Sequence, residues 1–211
     1  MTTIRLAGSA HAWSCATGDT VLRSALRAGI GMSYSCNVGS CGNCRFELLS
    51  GEVAHQREAP PAWTEKDRAR NRFLGGQAQP AGDCTINFRP DPAAALPVRP
   101  ALREGVLVSA RPLNHDITEF AFRVTGDPAF LPGQYALLAV PGVAGARVYS
   151  MSGLPEDGLW SFIIRNACCV HRNMPVRFVS TTARHVSSGR SSIGTAGAPR
   201  PALLKSRSSR P

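Results

Sequence analysis

Apolar and polar residues alternate over much of the first ninety positions, and this alternation predicts several short strands. One stretch, Thr20–Ala28, instead has its apolar residues at helical spacing. Asp19 precedes it as the expected N-cap and Gly29 follows it as the expected C′ residue. A shorter helix is expected to start at Thr64, three residues before Asp67, as in a capping box. The predicted strands are Thr3–Leu6, His11–Ala16, Arg45–Leu49, Phe73–Ala78 and Thr85–Phe88.

Beyond residue 100 the pattern contains strands only, separated by glycine and proline turns, which is typical of an antiparallel barrel. The segment Asp91–Pro100 between the two halves contains three prolines and is predicted to be an extended linker. We therefore expect a first domain over residues 1–90, a linker over 91–100 and a partial barrel over 101–165. The predicted barrel strands are Glu104–Arg111, Ile117–Val124, Tyr135–Val140, Ala146–Met151 and Leu159–Arg165.

After Arg165 the strand pattern stops, and residues 166–211 are rich in serine, arginine, proline and alanine. This composition predicts a disordered tail. The loss of pattern is abrupt, falls within a predicted strand and coincides with the loss of acidic residues. Our hypothesis is that the chain is truncated by a frameshift and that the tail is out-of-frame translation. Reading the other two frames of the coding DNA tests it.

The formal net charge of +10 is confined to the same segment, because nine basic residues lie from Arg165 onward and no acidic residue follows Asp157. The remainder of the chain is nearly neutral, so the charge indicates neither a nucleic-acid partner nor a membrane partner. Seven cysteines, no apolar run long enough for a membrane span and no signal-peptide pattern indicate a cytoplasmic protein. In that compartment cysteines serve metal or redox chemistry more often than disulfides.

One loop contains three cysteines that could bind a metal. They have C-x4-C-x2-C spacing, with Gly39 and Gly42 between them. The glycines let the backbone fold closely around a small cluster. The spacing is that of a plant-type [2Fe-2S] ferredoxin loop. Buried structural thiols or half of a zinc site are the alternatives, but no second Cys/His pair at zinc-site spacing is present. The predicted iron ligands are Cys36, Cys41 and Cys44.

The order strand, strand, helix, cysteine loop, strand, short helix, strand resembles the β-grasp ferredoxin domain of oxygenase reductases. These are the reductases of phenol, toluene and methane monooxygenases and of aromatic-ring dioxygenases. Besides the cysteine loop, the resemblance is carried by Gly18–Leu22, Glu47–Val53 and Asn71–Leu74. It implies an α+β ferredoxin domain with a [2Fe-2S] cluster.

The resemblance fails at the fourth ligand, where the family has a cysteine and this chain has Gly76. Glycine has no side chain that can bind iron. Cys84 is a candidate substitute, but the matching cysteine in the family lies on the next strand and is not a ligand. The alternative for Cys84 is a buried strand residue. The expected outcomes are a cluster with water or an exogenous ligand, a labile cluster, or no cluster.

Two short motifs in the predicted barrel, L-P-G-Q-Y ending at Tyr135 and R-V-Y-S, resemble the FAD barrel of ferredoxin-NADP reductase-like flavoproteins. The resemblance implies that Arg147 meets the FAD pyrophosphate, Tyr149 packs on the flavin and Ser150 faces the flavin N5. The predicted fold class is thus a β-grasp ferredoxin domain, an incomplete FAD-type antiparallel barrel and a disordered tail.

The resemblance implies a reductase component that passes electrons from NAD(P)H through FAD and a [2Fe-2S] cluster to an oxygenase or hydroxylase component. No catalytic side chain is predicted, because the cofactors carry the chemistry. The sequence has no recognisable nicotinamide domain, so we expect an oxidoreductase by descent. The alternatives are a stand-alone one-electron carrier and an inactive gene product without a stable cluster.

Overall fold

The computed structural model describes residues 1–95, 99–139 and 146–165, and a strand at 175–181 in which Phe178 is the one side chain described. The first unit is a five-stranded sheet crossed by a helix, with a separate two-stranded ribbon. Its elements are β1 (Thr2–Leu6), β2 (Ala12–Cys15), α1 (Val21–Arg27), β3 (Arg45–Ser50), β4 (Val53–His55), α2 (Glu65–Ala69), β5 (Arg72–Leu74), β6 (Ala78–Pro80) and β7 (Cys84–Asn87).

The main sheet has the order β2-β1-β7-β3-β5, and β4 pairs with β6 in the ribbon. The first and last strands of the unit, β1 and β7, pair in parallel, whereas the other neighbours are antiparallel. The buried face of α1 joins side chains of the sheet in a single apolar core that includes Ile4, Leu22, Phe46 and Ile86. This is the β-grasp arrangement expected from the sequence.

The ends of α1 are fixed by local hydrogen bonds, and one differs from the prediction. Thr20, with extended backbone, is the N-cap, and its hydroxyl accepts the N–H of Arg23 at 3.4 Å. Asp19 lies one residue outside the helix, so its carboxylate pairs instead with the guanidinium groups of Arg23 and Arg27. At the other end Gly29 has φ +80°, and the predicted C′ role is confirmed.

The predicted capping box of α2 is also present. The Thr64 hydroxyl accepts the N–H of Asp67, and the Asp67 carboxylate accepts the N–H of Thr64 at 3.0 Å. Asp67 additionally accepts a hydrogen bond from the guanidinium of Arg45 at 2.9 Å. Since Arg45 follows the cysteine loop directly, this ion pair ties the short helix to the end of that loop.

The single strand predicted over Phe73–Ala78 is two strands, β5 and β6, interrupted at Gly75 and Gly76. The interruption has a physical reason. The Gly75 N–H donates to the Cys44 carbonyl at 2.7 Å, and the Gly75 carbonyl accepts the N–H of Leu22 at 2.9 Å. The backbone therefore leaves the sheet here in order to bridge the cysteine loop and the start of α1.

The start of the linker does not run free between the two units. Pro92–Ala94 forms a short 3₁₀ helix, and the carboxylate of its N-cap Asp91 accepts the N–H of Ala93 at 2.9 Å. The Asp91 N–H donates to the Gly31 carbonyl at 2.9 Å, and a Cβ at Gly31 would lie only 1.9 Å from the Asp91 carbonyl oxygen. The prediction of an extended linker is therefore wrong for these residues, which pack on the first unit.

The second unit is a six-stranded antiparallel sheet with the order β11-β10-β13-β8-β9-β12. Within the part of the chain that the structure describes, β11 and β12 are its two edges, so the sheet is an incomplete barrel. Its elements are β8 (Ala101–Pro112), β9 (Ile117–Val124), β10 (Tyr135–Ala139), β11 (Arg147–Ser150), β12 (Trp160–Arg165) and β13 (Pro175–Thr181).

The central strand β13 lies inside the segment for which the sequence predicted a disordered tail. It pairs with β10 on one side and β8 on the other. The Phe178 side chain is fully buried among Phe122, Trp160 and Phe162, with ring centroids 5.1–5.7 Å apart. Residues 175–181 therefore belong to the sheet, and the prediction is corrected there. The rest of the predicted tail, 166–174 and 182–211, lies outside the described residues.

Among the described residues, no helix has both the length and the apolar character needed to cross a bilayer.

Candidate metal centre

The cysteine loop joins α1 to β3 and folds back on itself at positions with left-handed backbone. Asn37, Gly39 and Gly42 have φ values of +56°, +79° and +77°. A side chain at Gly39 would collide with neighbours, because an added Cβ would lie 2.8 Å from the Pro60 Cβ and 2.9 Å from the Gln77 Cγ. The loop can therefore pack against the segment before α2 and against the Gly75–Gln77 break only with glycine here.

Backbone N–H groups donate hydrogen bonds to the sulfurs of Cys36 and Cys44. Cys36 Sγ accepts the N–H groups of Ser40 and Cys41, each at 3.3 Å. Cys44 Sγ accepts the N–H of Gly76 at 3.3 Å. Hydrogen bonds of this kind stabilise negative charge on sulfur, which is the form of cysteine that binds metal. The break between β5 and β6 thus contributes a donor to the loop.

The thiols differ in how readily they ionise. Burial raises the pKa of Cys44 to about 11, although the Gly76 hydrogen bond opposes the shift. For Cys41 burial also acts upward, but hydrogen bonds from the backbone of Asn43 and from Cys36 outweigh it, and the pKa is lowered. A coordinated metal deprotonates its thiol ligands outright, so the raised pKa of Cys44 is compatible with ligation.

Among the residues that the structure describes, no set of three or more His, Cys, Asp or Glu side chains is arranged to hold a single metal ion. The chemistry of the loop nevertheless fits an iron-sulfur cluster. It offers thiols at the ferredoxin spacing on a backbone whose N–H groups point at sulfur.

Gly76, the position of the missing ligand, lies against Asn37. A Cβ built at Gly76 would lie 2.9 Å from Asn37 Oδ1 and 3.1 Å from Asn37 Cα. The Asn37 side chain is 0% exposed, and neither of its amide atoms has a hydrogen-bond partner. The sequence analysis missed Asn37. Its one signal in the sequence is an asparagine directly after a candidate ligand in a glycine-rich loop, a residue type that tolerates left-handed backbone.

Cys84 lies on β7 with Cys15 as its neighbour in the core. Burial raises the pKa of its thiol to about 11, and the charges of Cys15 and Asp83 add to the shift. On Cys44 the neighbouring thiols that act in the same direction are Cys41 and Cys36. The structure thus brings the three loop cysteines together and sets Cys84 in a different electrostatic neighbourhood.

The candidate flavin residues lie on β11, an edge strand paired with β10. Arg147 and Ser150 are exposed, and Tyr149 is half-buried against the core of the sheet. The P-G-Q turn holds this edge in place, because the buried Gln134 accepts the N–H of Leu131 with its side chain and the N–H of Met151 with its carbonyl.

One contact joins the two candidate sites. The Tyr135 hydroxyl on β10 lies 3.5 Å from the Ser35 carbonyl oxygen, and Ser35 directly precedes Cys36. In the β10–β11 pair the partner of Tyr135 is Ser150. A single residue of the sheet therefore lies beside the candidate flavin strand and reaches the cysteine loop.

Comparison with known proteins finds a family match for the first unit and relatives that span both units. Residues 4–80 match the family of 2Fe-2S iron-sulfur cluster binding domains. The chain is 36% identical over 157 residues to the ferredoxin–NAD(P)(+) reductase CarAd of Metapseudomonas resinovorans, an alignment that covers 72% of this chain and 47% of that protein. It is 38% identical over 146 residues to the ferredoxin–NAD(+) reductase component of the alkene monooxygenase system of Xanthobacter autotrophicus, covering 68% and 44%.

The structure is similar to that of the ferredoxin reductase in carbazole 1,9a-dioxygenase, with a TM-score of 0.78 and 28% sequence identity, over 86% of this chain and 58% of that one. The chain spans about half the length of the curated relatives it matches.

The first unit is thus a domain of the 2Fe-2S iron-sulfur cluster binding type, followed by a six-stranded antiparallel sheet. More particularly, the two units in this order are similar in sequence and fold to the ferredoxin reductases of oxygenase systems.

Proposed function

We propose that this chain carries electrons within a multicomponent oxygenase system, from NAD(P)H through FAD and a [2Fe-2S] cluster to an oxygenase component. The relatives are named as components of alkene monooxygenase, toluate 1,2-dioxygenase and naphthalene 1,2-dioxygenase systems. This range of systems supports an oxygenase as the class of partner without selecting one. The proposed location is the cytoplasm, where NAD(P)H is available.

In this proposal Cys36, Cys41 and Cys44 bind the cluster. When bound, the cluster supplies a one-electron redox centre. The chain's own contribution is to hold the three sulfurs on one loop and to direct the N–H groups of Ser40, Cys41 and Gly76 at them. Such hydrogen bonds tune the potential of a cluster.

On the second unit Arg147, Tyr149 and Ser150 bind the FAD. The exposed Arg147 guanidinium is available to the pyrophosphate, and the half-buried Tyr149 offers a ring face anchored against the core. Ser150 terminates the strand beside Tyr135. The three residues are held in register by the four-residue pairing of β11 with β10.

The observation that carries the proposal is the Tyr135 contact. It puts the strand beside the candidate flavin residues within 3.5 Å of the loop that holds the candidate iron ligands. Electron transfer needs two redox centres held close together, and this contact supports such an arrangement in one chain. A module that worked as a ferredoxin alone would have no need for it.

The first test is metal analysis of single cysteine variants. We expect Cys36→Ser, Cys41→Ser and Cys44→Ser each to reduce iron and acid-labile sulfide after anaerobic reconstitution by about tenfold or more, since each removes a thiolate ligand. Cys84→Ser and Cys15→Ser are matched controls, because both remove buried thiols of the same domain, and they should keep the wild-type content. Loss of iron in Cys84→Ser alone would instead make Cys84 a ligand.

A further inference from the structure

Asn37 is a buried polar side chain whose amide has no hydrogen-bond partner among the described residues. Its carboxamide is fully buried, and neither Oδ1 nor Nδ2 has a hydrogen-bond partner, whereas nearly all buried polar groups in proteins have one. The backbone at Asn37 is also in the left-handed region, with φ +56°. An unpaired amide in this position destabilises the protein unless something outside the polypeptide binds it.

The position of Asn37 indicates what that partner is. Its Oδ1 lies 2.9 Å from the point where a side chain at Gly76 would begin, so the asparagine occupies the space that a residue-76 side chain would need. It follows Cys36 in the sequence. It also contacts Gly76, whose N–H donates to Cys44 Sγ at 3.3 Å. Asn37 thus directly follows one candidate ligand in the sequence and lies against the residue whose N–H donates to another.

We propose that Asn37 Oδ1 is the fourth protein ligand of the cluster and replaces the thiolate that glycine at position 76 cannot supply. The inference rests on the proposed function, because it needs the cluster that Cys36, Cys41 and Cys44 hold. A carboxamide oxygen is a neutral donor, harder than a thiolate. The cluster therefore carries one negative charge less than with four thiolates, and its reduction potential is higher.

The left-handed backbone at Asn37, with φ +56°, allows a variant that removes only the amide. Asparagine tolerates this conformation better than most residues, and glycine tolerates it fully. Asn37→Gly therefore removes the amide while keeping the loop. Asn37→Asp keeps an oxygen at the same place. In the double variant Asn37→Gly/Gly76→Cys, the space vacated by the asparagine is available for a cysteine side chain.

The experiment is anaerobic reconstitution of the wild type and these three variants, followed by iron and sulfide analysis, decay in the presence of an iron chelator and EPR of the reduced protein. We expect wild type and Asn37→Asp to hold the cluster. Asn37→Gly should lose it at least about tenfold faster. The double variant should regain stability, with g-values changed from those of wild type and a lower reduction potential.

Ligation can be measured directly in wild-type protein labelled with ¹³C and ¹⁵N at asparagine. We expect hyperfine coupling between the reduced cluster and the labelled amide. This coupling should vanish in Asn37→Gly. Unchanged lifetime and g-values in Asn37→Gly would overturn the inference while leaving the proposed function intact. A wild type without cluster beside a cluster-bearing double variant would do the same. Failure of both proteins to bind a cluster would reject the proposed function as well.

Discussion

In the first unit, burial shifts the pKa values of several individual side chains. Burial raises the pKa of Cys44 and Cys84, and it lowers the pKa of His55 to about 4. The His55 ring lies against Trp63 and Phe73, and its Nε2 accepts the N–H of Leu74 at 3.0 Å. Neutral histidine is the form that can accept this bond, so the site favours the unprotonated ring.

His55 makes the stability of the first unit depend on pH. In the unfolded chain histidine binds a proton below about pH 6.5, whereas in the folded chain it does so only near the lowered pKa of about 4. The unfolded state therefore holds more protons in this window, and stability falls as the pH drops through it. We expect the urea midpoint to decline between about pH 7 and pH 5 more steeply in wild type than in His55→Gln.

Glutamine is the suitable replacement because its side chain oxygen can still accept the Leu74 N–H, so the comparison isolates titration from loss of the hydrogen bond. His11→Gln serves as the matched control, since His11 is exposed. Parallel pH curves for wild type and His55→Gln would show that His55 does not titrate as its burial requires.

At the level of elements, the second unit is one continuous sheet because β13 lies between β10 and β8. It is the strand that connects the β10–β11 pair to β8, β9 and β12. Without it the β10–β11 pair would lose its ladder of hydrogen bonds to the rest of the sheet. This strand was not predicted from the sequence, because it follows a stretch with neither clear periodicity nor acidic residues.

Phe178→Ala tests β13 directly. The substitution removes a fully buried ring that packs on Phe122, Trp160 and Phe162, so we expect a loss of about 3–5 kcal/mol in the unfolding free energy of the second unit. Leu102→Ala is the control, because Leu102 lies on the neighbouring β8 but is 60% exposed. Urea unfolding followed by tryptophan fluorescence reports the difference. Equal stability of the two variants would show that Phe178 does not pack in the core and that β13 is not part of the sheet.

Most elements of the first unit were predictable from sequence, because their signals are local. The spacing of Thr64 and Asp67 sufficed for the capping box, and Gly29 for the end of α1. The β5–β6 break was not predictable, since it depends on hydrogen bonds from Gly75 to residues some thirty and fifty positions away. The N-cap was misassigned by one residue because Asp19 and Thr20 are both good capping residues.

The candidate metal site was also predictable only where its signal is local in the sequence. The cysteine spacing placed three candidate ligands in one loop, and the resemblance exposed the glycine at position 76. That Asn37 lies in the space beside Gly76 could not be seen, because it depends on the approach of two segments nearly forty residues apart. The assignment of Cys36, Cys41, Cys44 and the flavin residues stays a prediction until metal and flavin binding are measured.

At the level of the whole molecule, Tyr135 is where the two units meet near the candidate centres. Tyr135→Phe keeps the ring and removes the hydroxyl that lies 3.5 Å from the Ser35 carbonyl. We expect electron transfer from photoreduced FAD to the cluster to slow severalfold at unchanged cluster content, measured by transient absorption in reconstituted protein. Tyr149→Phe is the contrasting variant, because it retains the ring and does not involve the loop. Equal rates in Tyr135→Phe and wild type would remove the contact from the pathway.

The anchored start of the linker has a consequence for how the two units would exchange electrons at different protein concentrations. Asp91 is bonded to Gly31, and the Arg99 guanidinium donates to the Arg27 carbonyl at 3.1 Å. The chain is therefore attached to the first unit at Arg99, two residues before β8 begins at Ala101. A tether this short keeps each sheet at a high effective concentration near its own ferredoxin unit. Electron exchange would then occur within single molecules, at a rate that dilution leaves unchanged.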